Sequence, residues 1–356
     1  MHVLVIGSGL IGTATAWYLR REGADVTVID RAAGPARETS FANAGMLTPS
    51  MADPWNAPGV VWKLLGWVGR EDAPMLLRPR EIPRLAGWGT RFLWNSRVAS
   101  FERNMLKNLA LASFSLDALR ELRAELGLRY CERSFGVLKV FRDPASLARA
   151  VTVAEQLGAH GVVHRALDRD GVAEVEPSLA PVADQLAGGI LHPDAESGDA
   201  HRFVCALAEA ASGAGVRFEF DTAVTGLRAE GNRLEAVATT AGDLSADACV
   251  LAAGSYSTPL LAELGIRLPV RPVKGYSITV PFGDDRLAPR RPITDDSLHI
   301  AVTPFGDRLR VAGTAEFTGL DHSVGEPRIR NLREMFETMF PRCAATVDPD
   351  ADLSPW

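Results

Sequence analysis

Three glycines and one aspartate near the start of the chain have types and spacing that could hold a charged ligand. Gly7, Gly9 and Gly12 form a GxGxxG run, and Asp30 follows 18 residues after the last of them. Without a Cβ, Gly7 allows a tight turn, Gly9 lets the backbone approach a pyrophosphate, and Gly12 lets a helix pack closely on a sheet. The chemistry indicated is dinucleotide binding, with the phosphates at a helix N-terminus.

The elements that must position these residues are a strand, a helix and a second strand. Residues 2–6 are a short run rich in Val and Ile, typical of a strand buried on both faces, and residues 13–20 read as a helix. A second strand over 25–29 ends at Asp30. This context separates a dinucleotide site from a plain glycine-rich turn, so we predict such a site. A carboxylate at 30 would accept hydrogen bonds from ribose hydroxyls and repel a 2′-phosphate, which leaves FAD or NAD.

Composition narrows the class of protein. The chain has 356 residues, a length comfortable for two domains, with 47% hydrophobic and 23% charged residues and a net charge of −6. The charge argues against a nucleic-acid binder, whose footprint would be basic. Four cysteines without paired spacing favour a reducing compartment. With no secretory signal, no long apolar run and no metal-ligand cluster, we expect a cytoplasmic protein without a metal site.

Residues 55–94 are unusually rich in tryptophan and arginine. Five of the seven tryptophans lie here: Trp55, Trp62, Trp67, Trp88 and Trp94. The stretch 55–91 also carries six cations (Lys63, Arg70, Arg78, Arg80, Arg84, Arg91) and three anions (Glu71, Asp72, Glu81). Such a mixture suits a lipid–water interface, which would place the protein peripherally on the inner face of the cytoplasmic membrane. Packing of these aromatics against the protein body or a neighbouring subunit is the open alternative.

The remaining chain predicts a second domain interleaved with the first. Helical periodicity dominates residues 84–126, strands and helices of the first type return over 199–264, and residues 270–313 are rich in strands of antiparallel character. Taken together, the chain resembles the FAD-dependent D-amino-acid oxidase-like superfamily, and most closely its bacterial D-amino-acid dehydrogenases. The matching segments, colinear along the whole chain, are 3–12, 26–31, 38–40, 42–45, 57–60, 175–177, 198–199, 253–258, 274–277 and 310–316.

The resemblance implies an α/β fold in which a Rossmann-type FAD-binding domain is interleaved with an α+β substrate domain built on a mostly antiparallel sheet. The expected FAD-binding domain spans 1–83 and 193–265, and the substrate domain spans 84–192 and 266–345. Residues 346–356 would begin the return to the FAD-binding domain.

The resemblance also implies which residues hold FAD. They are Ile6, Gly7, Ser8, Gly9, Leu10, Ile11, Gly12, Asp30, Arg31, Thr39, Ser40, Asn43, Ala44, Gly45, Val224, Ala253 and Gly254. No catalytic residue is assigned. The candidates for the substrate pocket are Tyr256, Lys274 and Tyr276, because they lie where the second domain should face the flavin. For each of them a purely structural role is the open alternative.

The implied reaction is oxidative deamination of a D-amino acid to a 2-oxo acid and ammonia by hydride transfer to flavin. The electrons would pass to a quinone or another acceptor that is not oxygen. No acid–base dyad is evident, which fits a reaction whose chemistry the cofactor carries. The alternatives are an FAD-dependent oxidase or dehydrogenase of a secondary amine (sarcosine, proline or hydroxyproline) and an inactive dinucleotide-binding fragment.

The family also continues beyond the position of Trp356. There it has a Gly-Leu-Arg-Pro motif, whose arginine grips the substrate carboxylate, and a glycine-rich segment over the flavin. Because this chain ends at Trp356, we expect both to be missing from it.

Overall fold

A computed structural model describes residues 1–71, 73–281, 286–348 and 353–356. Asp72, one of the anions counted above, lies outside the described residues. The chain divides into two compact units. Unit 1 comprises Met1–Asn43, Leu122–Tyr130 and Asp199–Pro272, and unit 2 comprises Ala44–Glu121, Cys131–Gly198 and Val273–Trp356.

The strands and helices are given in chain order. The strands are β1 (His2–Ile6), β2 (Asp25–Ile29), β3 (Met46–Leu47), β4 (Met75–Leu77), β5 (Val137–Phe141), β6 (Arg165–Leu167), β7 (Gly188–His192), β8 (Glu196–Ser197), β9 (Arg217–Glu219), β10 (Val224–Glu230), β11 (Arg233–Thr239), β12 (Gly242–Leu244), β13 (Ala248–Leu251), β14 (Lys274–Pro281), β15 (Ile293–Asp295), β16 (Ile300–Phe305) and β17 (Arg308–Phe317). The helices are α1 (Leu10–Arg21), α2 (Val60–Trp67), α3 (Ile82–Trp94), α4 (Val98–Leu126), α5 (Pro144–Gly158), α6 (Arg169–Val175), α7 (Ala200–Gly213), α8 (Ser257–Ala262), α9 (Glu326–Met339) and α10 (Pro341–Ala344).

Unit 1 is built on a four-stranded parallel sheet in the order β13-β1-β2-β9. The apolar run of β1 is buried on both faces, as its lack of alternation predicts. On one face Leu4, Ile6 and Ile29 form a core with Val237 of the antiparallel β10-β11-β12 sheet. The Rossmann-type prediction is confirmed, and β1 holds a central position from which its C-terminal turn can meet a ligand.

Unit 2 is built on an eight-stranded sheet in the order β14-β17-β16-β15-β5-β7-β6, with β4 also pairing β17. It is mostly antiparallel, as predicted, and among the strands that the structure describes here, β15·β5 and β4·β17 are the parallel pairs. Leu332, Phe336 and Met339 of α9 are buried in the core of this sheet. Burial of each such side chain stabilises the fold by roughly 1.5–3 kcal/mol.

Residues 44–83 belong to unit 2. The domain boundaries predicted from the sequence place them in the FAD-binding domain. Strand β3 pairs with β8 and β4 pairs with β17, and both partners are strands of that unit. At the other end of the chain, Trp356 exchanges backbone hydrogen bonds with Ser277 of β14. Pairing with distant strands therefore sets where these segments lie.

Buried His192 on β7 gives unit 2 an expected sensitivity to acid. Burial lowers the pKa of His192 to about 4 from its ordinary value of 6.5. As pH falls from 6.5 to about 4, the unfolded chain takes up a proton here that the folded chain does not. The free energy of unfolding should therefore fall by roughly 3 kcal/mol over this window. Urea unfolding at pH about 7 and about 4 measures the drop.

The His192→Gln variant should lose this part of the pH dependence, and the exposed His160→Gln variant should keep it. An identical acid response in His192→Gln and the parent protein would show that His192 is not the responsible group.

Candidate functional site

The glycine turn after β1 is closely packed at its two ends and open in the middle. Gly7 has a φ of +105°, and a Cβ there would lie 2.6 Å from the Ala252 carbonyl oxygen. A Cβ on Gly12 would lie 1.8 Å from the Gly7 carbonyl oxygen, so α1 could not stay seated on β1. A Cβ on Gly9 would meet only the Ser40 hydroxyl, at 3.5 Å. The turn therefore leaves a small-residue cradle at Gly9, at the N-terminus of α1.

Asp30 links this turn to the end of β2 by hydrogen bonds. Its Oδ2 accepts hydrogen bonds from the backbone N–H and the hydroxyl of Ser8, both at 2.7 Å, and its Oδ1 accepts from the Ala32 N–H at 2.9 Å. A carboxylate offers about four acceptor sites. Asp30 thus orders the loop around Gly9 and keeps room for about one further donor.

Arg31 and Tyr256 form a stacked pair in unit 1. The Arg31 guanidinium lies over the Tyr256 ring, 3.8 Å from its centroid, and forms an ion pair with Glu38. Tyr256, a candidate for the substrate pocket, is therefore placed with a residue predicted to hold the ADP half of a cofactor. Such a flat cationic and aromatic surface could take a nucleotide base.

The other predicted cofactor residues are divided between the units. In unit 1 the Ser40 hydroxyl accepts from the Leu10 N–H at 3.1 Å, Asn43 donates to the Thr39 carbonyl at 3.5 Å, and Val224 starts β10. Ala253 and Gly254 follow β13, and Gly254 has a φ of +53° with open space where a Cβ would lie. Ala44 and Gly45 fall in unit 2, where the Thr303 hydroxyl donates to the Ala44 carbonyl at 2.7 Å.

Unit 2 contains a cavity of about 520 Å³ at the edge where β4, β14 and β17 meet. Two of the predicted pocket residues, Lys274 and Tyr276, come together there. The lining residues are Arg78, Pro79, Arg80, Lys274, Tyr276, Glu316, Thr318, Asp321, Ser323 and Gly325. Three cations and two carboxylates in one cavity are suited to a small ligand that carries both charges.

Glu316 is the centre of the charges in this cavity. Its side chain is 2% exposed, its Oε1 accepts from Arg78 Nε at 2.6 Å, and its Oε2 accepts from the Tyr276 hydroxyl. Lys274 Nζ lies 3.7 Å from the same Oε2. Burial raises the pKa of Glu316, but these donors and cations outweigh burial and hold the pKa below its ordinary value. Burial and the charge of Glu316 raise the pKa of Tyr276, so its hydroxyl stays protonated and donates.

Asp321 and Arg80 form the more open side of the cavity. Lys274 Nζ donates to the Ser323 carbonyl at 2.9 Å and lies 3.5 Å from Asp321 Oδ2. Hydrogen bonds from the Ser323 backbone and hydroxyl lower the pKa of Asp321 to about 2. Arg80 donates to the Thr318 hydroxyl at 3.0 Å, and its side chain is 67% exposed. Both acids are therefore ionised at neutral pH, and Arg80 is the most exposed of the three cations that line the cavity.

Comparison with known proteins decides the family. Residues 2–355 match the family described as "DAO: FAD dependent oxidoreductase". The chain belongs to this family. It is 45% identical over 341 residues to the D-amino acid dehydrogenase of Rhizorhabdus wittichii, covering 96% of this chain and 82% of that protein. It is 44% identical over 342 residues to the D-amino acid dehydrogenase of Bradyrhizobium diazoefficiens, covering 96% of this chain and 81% of that one.

Two solved structures of lower identity share this fold. A glycine oxidase from Geobacillus kaustophilus matches with a TM-score of 0.73 and 22% identity, covering 99% of this chain and 80% of its own. An L-proline dehydrogenase from P. horikoshii matches with a TM-score of 0.70 and 16% identity, covering 98% and 79%. The predicted family, fold class and FAD dependence are confirmed, and the small-residue cradle at Gly9 fits the pyrophosphate of FAD.

Sequence reasoning missed most of the charged residues that this FAD-dependent oxidoreductase gathers around Lys274. Arg78, Glu316 and Asp321 were not singled out as site residues. Glu316 carried a usable signal, because it is a carboxylate within the run of small and apolar residues 311–317 of β17. Arg78 and Asp321 carried none, since only the pairing of β4 with β17 brings Arg78 to the cavity.

Some tryptophans of residues 55–94 are exposed, as a membrane contact requires, and others pack against the protein. Trp62 and Trp94 are 77% and 61% exposed, and the Arg97 guanidinium lies 3.4 Å from the centroid of the Trp94 ring. Trp67 instead meets the His299 ring edge-on, and Trp88 stacks on Phe92. Trp62 and Trp94 therefore remain candidates for an external contact. No helix among the described residues is long and apolar enough to cross a bilayer.

Proposed function

We propose that this protein oxidises D-amino acids to 2-oxo acids and ammonia. The observation that carries the proposal is the cavity of unit 2, where cations and carboxylates suited to a zwitterion line one space. The names of the curated relatives, D-amino acid dehydrogenases at 44–45% identity, support the same substrate class. Unit 1 would serve as the FAD-binding domain and unit 2 as the substrate domain.

Bound FAD supplies the acceptor for a hydride from the substrate Cα. The turn from Ile6 to Gly12 would take the pyrophosphate at the N-terminus of α1, with Gly9 as the point of closest approach. Asp30 would receive a ribose hydroxyl, and Arg31 stacked on Tyr256 would flank the adenine. The remaining predicted residues would line the phosphates and the flavin: Thr39, Ser40, Asn43, Ala44, Gly45, Val224, Ala253 and Gly254.

Lys274 and Arg80 would bind the substrate carboxylate, and Asp321 would face the ammonium group. Because the pKa values of Glu316 and Asp321 are lowered, neither carboxylate is a good proton acceptor at neutral pH. We therefore assign them to binding and positioning, and the amine proton goes to water. Hydride loss from Cα and proton loss from nitrogen give an imino acid, which water hydrolyses to the 2-oxo acid and ammonia.

Anaerobic reduction of the FAD-loaded protein tests the proposal. D-Alanine should bleach the visible flavin absorbance and yield pyruvate and ammonia, and L-alanine should do neither. Bleaching by sarcosine or proline, with no response to D-amino acids, would favour secondary-amine oxidation, the chemistry that the names of two proteins with this fold, an iminodiacetate oxidase and an L-proline dehydrogenase, suggest. Failure to take up FAD would favour an inactive dinucleotide-binding fragment.

We propose further that the electrons leave to a quinone and that Trp62 and Trp94 attach the protein to the membrane surface. The membrane contact is supported by the exposure of both tryptophans, together with exposed cations such as Lys63 and Arg91 in the same segment. Aromatic rings beside cations favour an anionic lipid interface.

Replacing Trp62 and Trp94 together by alanine should lower partition onto anionic phospholipid vesicles about tenfold or more, because two large apolar contacts are lost. Co-sedimentation with vesicles measures the effect. Phe135→Ala removes an equally accessible aromatic outside the segment (60% exposed) and should leave partition unchanged. Equal binding by the double variant and the parent would exclude this surface.

A further inference from the structure

The outward face of α4 is unusual for a helix whose inner face is already buried. Met105, Leu109 and Leu116 are buried on the inner side. Residues on the opposite side follow the three- and four-residue spacing of one helix face. They are Arg103, Lys107, Ala110, Phe114, Asp117 and Glu121, and all are exposed. This set, with Leu111 beside it, is here called the outer face of α4, and all of it lies in unit 2.

The outer face has an apolar centre between charges of opposite sign. Phe114 is 71% exposed and Leu111 is 66% exposed, although both lie in the middle of a long helix. Arg103 and Lys107 lie on the N-terminal side of this centre, and Asp117 and Glu121 lie on the C-terminal side. A contiguous apolar patch rimmed by charge is typical of a protein–protein contact.

We infer that the outer face of α4 binds the same face of a second copy of this chain, with the two helices antiparallel about a two-fold axis. In that arrangement Lys107 faces Asp117 of the second copy, and Arg103 faces Glu121. Ala110 faces Phe114, so a small side chain meets a large one. A parallel arrangement would set like charges against each other.

Symmetry makes each of these contacts occur twice, as in any isologous dimer. Asp117 already lies 3.5 Å from Arg120 of its own helix, but that ion pair is exposed and contributes little to stability, so Asp117 can exchange partners at low cost.

The face from 103 to 121 is about 27 Å long at 1.5 Å per residue. One helix face is smaller than the roughly 800 Å² per partner of a standard interface, so the dimer should be weak and should depend on concentration and salt.

Sedimentation velocity over a concentration series tests the inference on the full chain. The parent protein should show a monomer–dimer equilibrium. Lys107→Asp and Asp117→Lys alone should each raise the dimer dissociation constant about tenfold or more, and the two together should restore it, because the swap recreates the pairs. Phe114→Asp should leave only monomer, and the control Phe135→Asp, which changes an exposed phenylalanine elsewhere in unit 2, should dimerise like the parent.

A zero-length carbodiimide cross-link gives independent evidence. Lys107 and Asp117 of one helix are about 15 Å apart, too far for an amide bond between them. In a mixture of ¹⁴N- and ¹⁵N-labelled protein, a mixed-isotope Lys107–Asp117 cross-link is expected. A protein that stays monomeric at all concentrations, or a dimer whose dissociation constant ignores the charge swap, would overturn the inference.

Discussion

The Gly12→Ala variant is expected to be colourless after purification, with FAD affinity reduced beyond measurement. The added Cβ would lie 1.8 Å from the Gly7 carbonyl oxygen, which is backbone and cannot turn aside. Helix α1 must therefore move away from β1, and the cradle at its N-terminus moves with it. Overpacking of this kind also destabilises a fold by roughly 1–3 kcal/mol. Flavin absorbance per protein and thermal unfolding of the apoprotein measure the two effects.

A matched glycine separates loss of the ligand from loss of the fold. In Gly9→Ala the Cβ has ordinary room in the protein, 3.5 Å from the Ser40 hydroxyl. The apoprotein should therefore unfold at the parent temperature, while the FAD dissociation constant rises about 100-fold because the Cβ occupies the approach of the pyrophosphate. Gly213→Ala, at the open C-terminal end of α7, should change neither quantity. Full FAD binding by Gly9→Ala would show that the pyrophosphate does not approach at Gly9.

The part of the site around Gly7 could be predicted from the sequence because its determinants are local. The elements around Gly7 (β1, the glycine turn, α1 and β2) all lie within the first 30 residues. The hydrophobic period or the residue types of each stretch indicate one kind of element. Asp30 was predicted for its position at the end of β2. Its hydrogen bonds to Ser8, which order the turn, were not predicted, since they depend on how the two strand ends meet.

The cavity of unit 2 could not be predicted because its residues are distant in sequence. Arg78 and Glu316 are 238 residues apart and meet through the parallel pairing of β4 with β17. No short-range pattern reports such a pairing, since a three-residue strand such as β4 has almost no periodicity. The same pairing explains why residues 44–83 belong to unit 2. Tyr256, a candidate for the substrate pocket, shows the same limit, because the contact of its ring with Arg31 joins residues that are distant in sequence.

Replacing Glu316 by glutamine should lower kcat/KM for a D-amino acid about 100-fold, mainly through a higher KM. The amide keeps the shape of the side chain but not the charge that holds Arg78 and Lys274 at 2.6 and 3.7 Å. Removing the charge of Glu316, which is 2% exposed, also costs on the order of 3 kcal/mol of stability, because Lys274 stays mostly buried without this carboxylate. Because Glu316 is proposed to position Lys274, the binding step suffers more than the hydride step. Steady-state kinetics with D-alanine measures the split.

Two further readouts distinguish a positioning role from a merely structural one. Burial still raises the pKa of Tyr276 in Glu316→Gln, but the hydrogen bond and the charge of the carboxylate no longer do. The pKa of Tyr276 should therefore fall toward its ordinary value, and ultraviolet titration of tyrosinate reports the shift. The pKa of Glu316 is held below its ordinary 4.5, so its contribution to stability is complete above pH about 4.5 and is lost as pH falls through the lowered pKa. The stability gap between parent and Glu316→Gln should therefore close in acid.

Glu326→Gln, which alters an exposed ion pair with Arg330, should match the parent in KM, in tyrosine titration and in acid stability. An unchanged KM in Glu316→Gln would remove Glu316 from the substrate site, because a cavity that binds a zwitterion through Lys274 cannot lose the buried charge beside Lys274 without weaker binding.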